Sequence, residues 1–222
     1  NTTGVGGDVV FYITDNITEP TNVGLGVNTN GHSITIRPDQ DADRTITFIK
    51  LSDNTSPTGH FVIGYLGTGL TSAWSDDNTI ATSNVTIDGY AEGGSTKRLK
   101  FTNANTTHGS RVIVVVGACE NTTIKNCIVE NTTTNTSSPV AIVAVVRKGT
   151  AIDVAPKNLV LDNNTITCNI STAGMGIRIT HSASSGTPTS KLTGLVCKNN
   201  VINAQRRILE MNYTNGGEIY SN

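Results

Sequence analysis

Hydrophobic and polar positions alternate along this chain over short stretches, and the stretches return at a fixed interval. Four segments read alike: Asn84-Val-Thr-Ile-Asp-Gly89, Asn121-Thr-Thr-Ile-Lys-Asn126, Asn158-Leu-Val-Leu-Asp-Asn163 and Gly194-Leu-Val-Cys-Lys-Asn199. Their starts lie 37, 37 and 36 residues apart. A constant period marks stacked supersecondary units. Within each segment the second and fourth residues are mostly apolar and their neighbours mostly polar, the period-2 pattern of a half-buried strand. A second apolar stretch follows each one (Ile128-Val129, Thr165-Ile166, Val201-Ile202). A third comes after a loop of variable length (Val112 to Val116, Val140 to Val146, Ile177 to Ile179, Ile208 to Met211).

Three short strands per 36 to 37 residues make one coil of an all-β solenoid, and the prediction is a right-handed parallel β-helix. Paired helices also repeat near this period, but β-branched residues set between Asn, Gly and Thr clusters favour strands. Residues 81–222 read as regular coils. Residues 1–80 follow the pattern more loosely, with strands expected at Val9 to Thr14, Ser33 to Arg37, Thr45 to Lys50 and His60 to Tyr65, as hairpins or wider coils. No proline-rich or charged linker divides the chain, so 1–222 is taken as one domain.

The sixth position of the repeat holds Gly89, Asn126, Asn163 and Asn199, residue types that enter the left-handed backbone region at least cost. A bend is expected there. Stacked about 4.8 Å apart, the Asn126, Asn163 and Asn199 amides are predicted to hydrogen-bond along the stack, satisfying an inward-facing turn. Cys197 falls in the inward column of Ile87, Ile124 and Leu161 and reads as a small hydrophobe. The four cysteines have no metal-ligand spacing, and four thiols are expected, with a Cys127 to Cys168 bridge as the alternative.

Composition agrees with short strands and tight turns: 222 residues, 22 Gly, 36% hydrophobic and 15% charged. Net charge is -1 and the Lys and Arg residues are dispersed, so no basic stripe invites nucleic acid. The apolar runs are far shorter than the roughly 20 residues of a membrane span. The chain starts at Asn1 with no initiator Met and no signal-like segment, which suggests a mature chain or an excised fragment.

The runs Ile34-Thr-Ile-Arg-Pro38, Ser83-Asn-Val-Thr-Ile-Asp-Gly89 with Gly93-Gly94 and Leu99-Lys-Phe-Thr-Asn103, and Gly117-Ala-Cys-Glu-Asn-Thr-Thr-Ile-Lys-Asn-Cys-Ile128 resemble the right-handed β-helix repeats of secreted bacterial surface proteins, notably those of Bacteroidota. The resemblance extends from about residue 8 to the end. It implies an extracellular or cell-surface location and a pectate-lyase-like superfold, while its motifs carry no chemistry.

Pectate lyases and polygalacturonases share this fold, so attack on acidic polysaccharide is the enzymatic alternative. Hydrolysis needs two carboxylates facing one bond. Asp88 and Asp162 share a column, but Lys125 lies between them and Lys198 follows, the pattern of a solvated face. Gly31-His32, Asp76-Asp77 and Arg178-Ile179 look like polygalacturonase fragments in the wrong order. Asp39-Gln-Asp-Ala-Asp43 has the alternate acids of a calcium loop, yet Arg44 and Lys50 stand where its glycine and glutamate belong. His32, His60, His108 and His181 are expected at the surface, and Trp74 is expected to cover a loop. No catalytic residue, metal or cofactor is assigned. Among the many N-x-[ST] triplets, Asn105, Asn131 and Asn135 are the loop positions best suited to glycosylation.

Neither end carries an evident cap over its strand edges. The expectation is a non-catalytic extracellular structural or adhesive protein, its partner either other surface proteins or itself, head to tail in a filament. A carbohydrate-active β-helix acting on polysaccharide is the alternative.

Overall fold

The structure is a computed structural model that describes residues 4–20, 23–49, 59–64, 82–104, 111–133, 139–147, 153–168, 173–182 and 189–222. The described residues form strands and turns and no helix. Coil 1 is β1 (Val9–Ile13), β2 (Ile17–Glu19) and β3 (Val23–Leu25); coil 2 is β4 (Ile34–Pro38), β5 (Arg44–Phe48) and β6 (Phe61–Ile63). Coil 3 is β7 (Val85–Asp88), β8 (Leu99–Asn103) and β9 (Arg111–Val116); coil 4 is β10 (Glu120–Lys125), β11 (Ile128–Asn131) and β12 (Val140–Arg147). Coil 5 is β13 (Lys157–Asp162), β14 (Thr165–Cys168) and β15 (Met175–Ser182). Coil 6 splits its first strand into β16 (Leu192–Thr193) and β17 (Val196–Lys198), then runs through β18 (Val201–Ala204) and β19 (Arg207–Met211). β20 (Thr214–Asn215) and β21 (Glu218–Tyr220) begin a seventh.

Every strand pairs in parallel with its counterpart one coil away, giving one sheet of nine strands and two of six. They are called sheets A, B and C in the order in which each coil visits them. This is a right-handed parallel β-helix with three strands per turn. The described residues up to Ile63 join the same stack: Ile34 pairs with Val85 and Ile46 with Phe101. Coils 1 and 2 are therefore ordinary members of the helix, and no hairpin occurs among the described residues.

Register turns the sequence alternation into columns of like side chains. Phe11, Ile36, Ile87, Ile124, Leu161, Cys197 and Ile219 form one inward column in sheet A. Ile17, Ile46, Phe101, Val129, Ile166 and Ile202 form another in sheet B. Sheet C contributes Val23, Phe61, Ile113, Ile142, Ile177 and Leu209. The three columns meet in a single core. Sheet C is buried on its other face as well, where Val62, Val114, Val143, Val145 and Met175 cluster. That explains why β9 and β12 read as unbroken apolar runs.

Candidate functional site

Among the described residues two features stand out in this solenoid: its asparagine corners and the exposed apolar side chains of its first and last coils. At the corner entering sheet A, Asn84, Asn121 and Asn158 adopt φ of 56, 56 and 53°. Asn158 Nδ2 donates to Asn121 Oδ1 at 2.9 Å, and Asn121 Nδ2 donates to Asn84 Oδ1 at 2.9 Å. Gly194 continues the column at φ 67°, where a Cβ would sit 2.3 Å from Asn158 Oδ1, so only glycine fits. These residues open the four repeated segments, and sequence reasoning passed over their ladder.

At the corner leaving sheet A, Asn126, Asn163 and Asn199 do hold left-handed φ of 58, 53 and 55°. Asn163 Nδ2 donates to Asn126 Oδ1 at 2.9 Å. Asn199 instead donates to Asp162 Oδ1 at 2.9 Å, and Asn126 to Asp88 Oδ1 at 2.8 Å. This ladder lies at the surface, which corrects the expectation that it faces inward. Gly89 has no positive φ; it is glycine because a Cβ would meet the Asn126 carbonyl oxygen at 1.8 Å.

The inward ladder lies one residue further on. Asn164 is fully buried, accepts from the Cys127 amide at 3.0 Å, and donates to the Ile124 carbonyl at 2.9 Å and Asn200 Oδ1 at 3.0 Å. Asn200 repeats the pattern, donating to the Leu161 carbonyl and Asn222 Oδ1, both at 2.9 Å. The sequence signal was the pair of Asn-Asn doublets, Asn163-Asn164 and Asn199-Asn200. Buried amides of this kind satisfy backbone groups that the bend removes from the strand ladders.

Charges on the outer face of sheet A alternate along the stack: Arg37, Asp88, Lys125, Asp162, Lys198. Lys125 Nζ lies 3.2 Å from Asp88, and Lys198 Nζ lies 3.4 Å from Asp162. Asp162, and after it Tyr220, raises the Lys198 pKa. The carboxylates suggested by the enzymatic alternative are thus occupied by neighbours in the stack. The acids of the calcium-like run are also taken: Arg44 binds Asp39 at 2.8 Å, and Arg98 binds Asp41 at 2.8 Å and Asp43 at 3.0 Å. Arg178 pairs with Glu210 at 3.1 Å. Among the described residues no three His, Cys, Asp or Glu side chains gather as a metal site, and no helix is long and apolar enough to cross a membrane.

Asn131, read as a glycosylation position, is buried, and its Nδ2 donates to the Val140 carbonyl at 3.0 Å. No glycan can be accommodated there in the folded chain. Asn105, Asn135, His108, Trp74 and the Asp76-Asp77 pair lie outside the described residues. The four cysteines are buried free thiols, so Cys127 and Cys168 are not bridged. Burial pushes Cys119 and Cys168 up to about 12 and Cys197 up to about 11.

His60 departs from the expected surface placement. It is fully buried, its ring stacked on Phe48 at 5.3 Å and 10°, and neither ring nitrogen has a partner. Burial lowers its pKa to about 4. A neutral imidazole serves here as core filling.

At the ends the inward columns emerge into solvent. Phe11 is 50% exposed and Ile17 37%, while at the other end Ile219 is 43% and Met211 42% exposed. Comparison of the chain with family models, with curated proteins and with solved structures finds no match.

Proposed function

We propose that this chain is a non-catalytic extracellular structural or adhesive protein that self-assembles through the open ends of its β-helix. The observation that carries the reading is the fate of a single column. Phe11 and Ile219 are the outermost described members of a row whose other members are buried, and among the described residues each projects from a strand paired along one edge. Parallel strand edges backed by apolar side chains are templates for further pairing. The extracellular setting is supported by the resemblance of the repeats to exported bacterial surface proteins. The non-catalytic part is supported by the column carboxylates, each tied to a Lys and an Asn amide of the stack.

Sedimentation of the chain over a range of concentrations tests this, together with Phe11→Asp and Ile219→Asp, each of which blocks one end. Neither variant should grow alone, and an equimolar mixture should stop at a dimer. Wild type that remains monomeric throughout would falsify the proposal.

A further inference from the structure

We propose that Asn215 is a site of self-modification: the Gly216 amide closes on the Asn215 side chain, and the isoaspartate that results releases strand β21 from the stack.

The chemistry starts from the sequence, which has two Asn-Gly steps, Asn30-Gly31 and Asn215-Gly216. In such a step the glycine nitrogen attacks the side-chain carbonyl carbon of the asparagine. The bond from that carbon to the amide nitrogen breaks, ammonia leaves, and a cyclic imide remains. Water opens the imide at either carbonyl. One opening gives aspartate; the other gives isoaspartate, in which the main chain runs through the former side chain. Glycine permits the attack because no Cβ screens its nitrogen, and the rate follows how freely the two atoms reach attack geometry.

The structure separates the two steps. Asn30 Nδ2 donates to the Val5 carbonyl at 3.1 Å, its own amide donates to Asn28 Oδ1 at 2.9 Å, and the His32 amide closes the turn on the Thr29 carbonyl at 2.9 Å. That side chain is tied to its neighbours on every count. Asn215, Gly216 and Gly217 are exposed. Among the described residues no hydrogen bond engages the Asn215 side chain or the Gly216 amide. The space where a Gly216 Cβ would stand is open to 4 Å, and Gly216 and Gly217 follow one another at φ of 72 and 149°. The ladder asparagines are protected in both respects. Asn121 and Asn158 precede Thr122 and Leu159, and their side-chain nitrogens are donated to the neighbouring coil.

The product acts where it forms. Asn215 ends β20 and pairs with Thr193, while β21 pairs with β17 and sets Ile219 on Cys197. Between these paired stretches Gly216-Gly217 face Gly194-Leu195, residue for residue, and the Glu218 amide donates to the Leu195 carbonyl at 2.8 Å. Isoaspartate adds a main-chain carbon to one side of that match and places a new carboxylate close to Glu218. β20 and β21 then cannot both keep register. β21 lifts away, and Cys197, buried in the intact chain, is uncovered.

Ageing the folded chain at mildly alkaline pH, followed by peptide mapping for isoaspartate and by thiol labelling, tests both steps. Asn215 should convert several-fold faster than Asn30, and in denaturant the two rates should converge. The aged chain should label at Cys197 in proportion to its isoaspartate. Asn215→Gln, whose ring closure needs one more carbon, should stay unconverted and keep all four thiols protected. An intact Asn215, or Asn30 converting first in the folded chain, overturns the site. Isoaspartate at position 215 with Cys197 still protected overturns the release of β21.

Discussion

Tyr90 and Asn163 lie 73 residues apart yet share a hydrogen bond: Asn163 Nδ2 donates to Tyr90 Oη at 2.8 Å. Tyr90 leaves coil 3 and Asn163 belongs to coil 5, so this contact skips the coil between. The same loop holds Lys97, which donates to Thr165 Oγ1 at 3.1 Å, and Glu92, which accepts from the Tyr12 hydroxyl at 3.4 Å. The segment 89–98 thus straps the stack lengthwise from coil 1 to coil 5.

Replacing Tyr90 by Phe removes only the phenol oxygen. Asn163 keeps its bond to Asn126, so the expected loss is about 1 kcal/mol. It should appear as a lower urea midpoint with an unchanged slope. No change in midpoint would show that the strap is idle.

The ladders of Asn163 and Asn164 differ in burial and should differ in cost. Asn164→Ala strands the buried Cys127 amide and Ile124 carbonyl, for a loss of about 2 to 4 kcal/mol. Asn163→Gly, which keeps the left-handed φ of 53° accessible, exposes its former partners to water and should cost about 1 kcal/mol. Equal losses in denaturant titration would contradict this assignment of the inward column.

Thr122 occupies the inward column between Val85 and Leu159, and its buried hydroxyl has no partner. Thr122→Val keeps the shape and removes the unsatisfied oxygen. Stability should rise by about 1 kcal/mol. A decrease would indicate that the hydroxyl is satisfied.

His60 makes folding sensitive to acid. Its pKa falls from 6.5 in the unfolded chain to about 4 when buried, so between those values only the unfolded chain takes up the proton. The stabilisation is complete above pH 6.5 and drains away as pH drops toward 4, by about 3 kcal/mol in total. His60→Leu should show a correspondingly flatter profile over that window in thermal melts at stepped pH.

Thiol titration offers a check on the core. Burial holds all four cysteines in the neutral form, and thiolate is the reactive species. The folded chain should resist an aromatic disulfide reagent, and denaturant should release all four thiols. Rapid labelling of the native protein would place at least one elsewhere.

The solenoid was legible because its period, its alternation and its left-handed Asn positions are all local signals, and Cys197 could be placed in its column by counting. The inward ladder was misplaced by one residue, since both members of an Asn-Asn doublet suit a bend and only the strand register decides which turns in. Coils 1 and 2 looked irregular because their spacing departs from the later period in both directions: Val9 pairs with Ile34, 25 residues on, and Ile34 with Val85, 51 residues on. His60 looked like a surface residue because nothing in its neighbourhood announces Phe48, which reaches it only once coil 2 closes.

The alternating column on sheet A also dictates how this chain can change length. Arg37, Asp88, Lys125, Asp162 and Lys198 change sign at every coil, so duplicating or deleting one coil sets two like charges side by side, about 4.8 Å apart in backbone spacing. Gaining or losing two adjacent coils keeps the sequence of signs. Growth by pairs is the grammar written into that face, and a shuffled or engineered descendant that respects it starts with its electrostatics already in order.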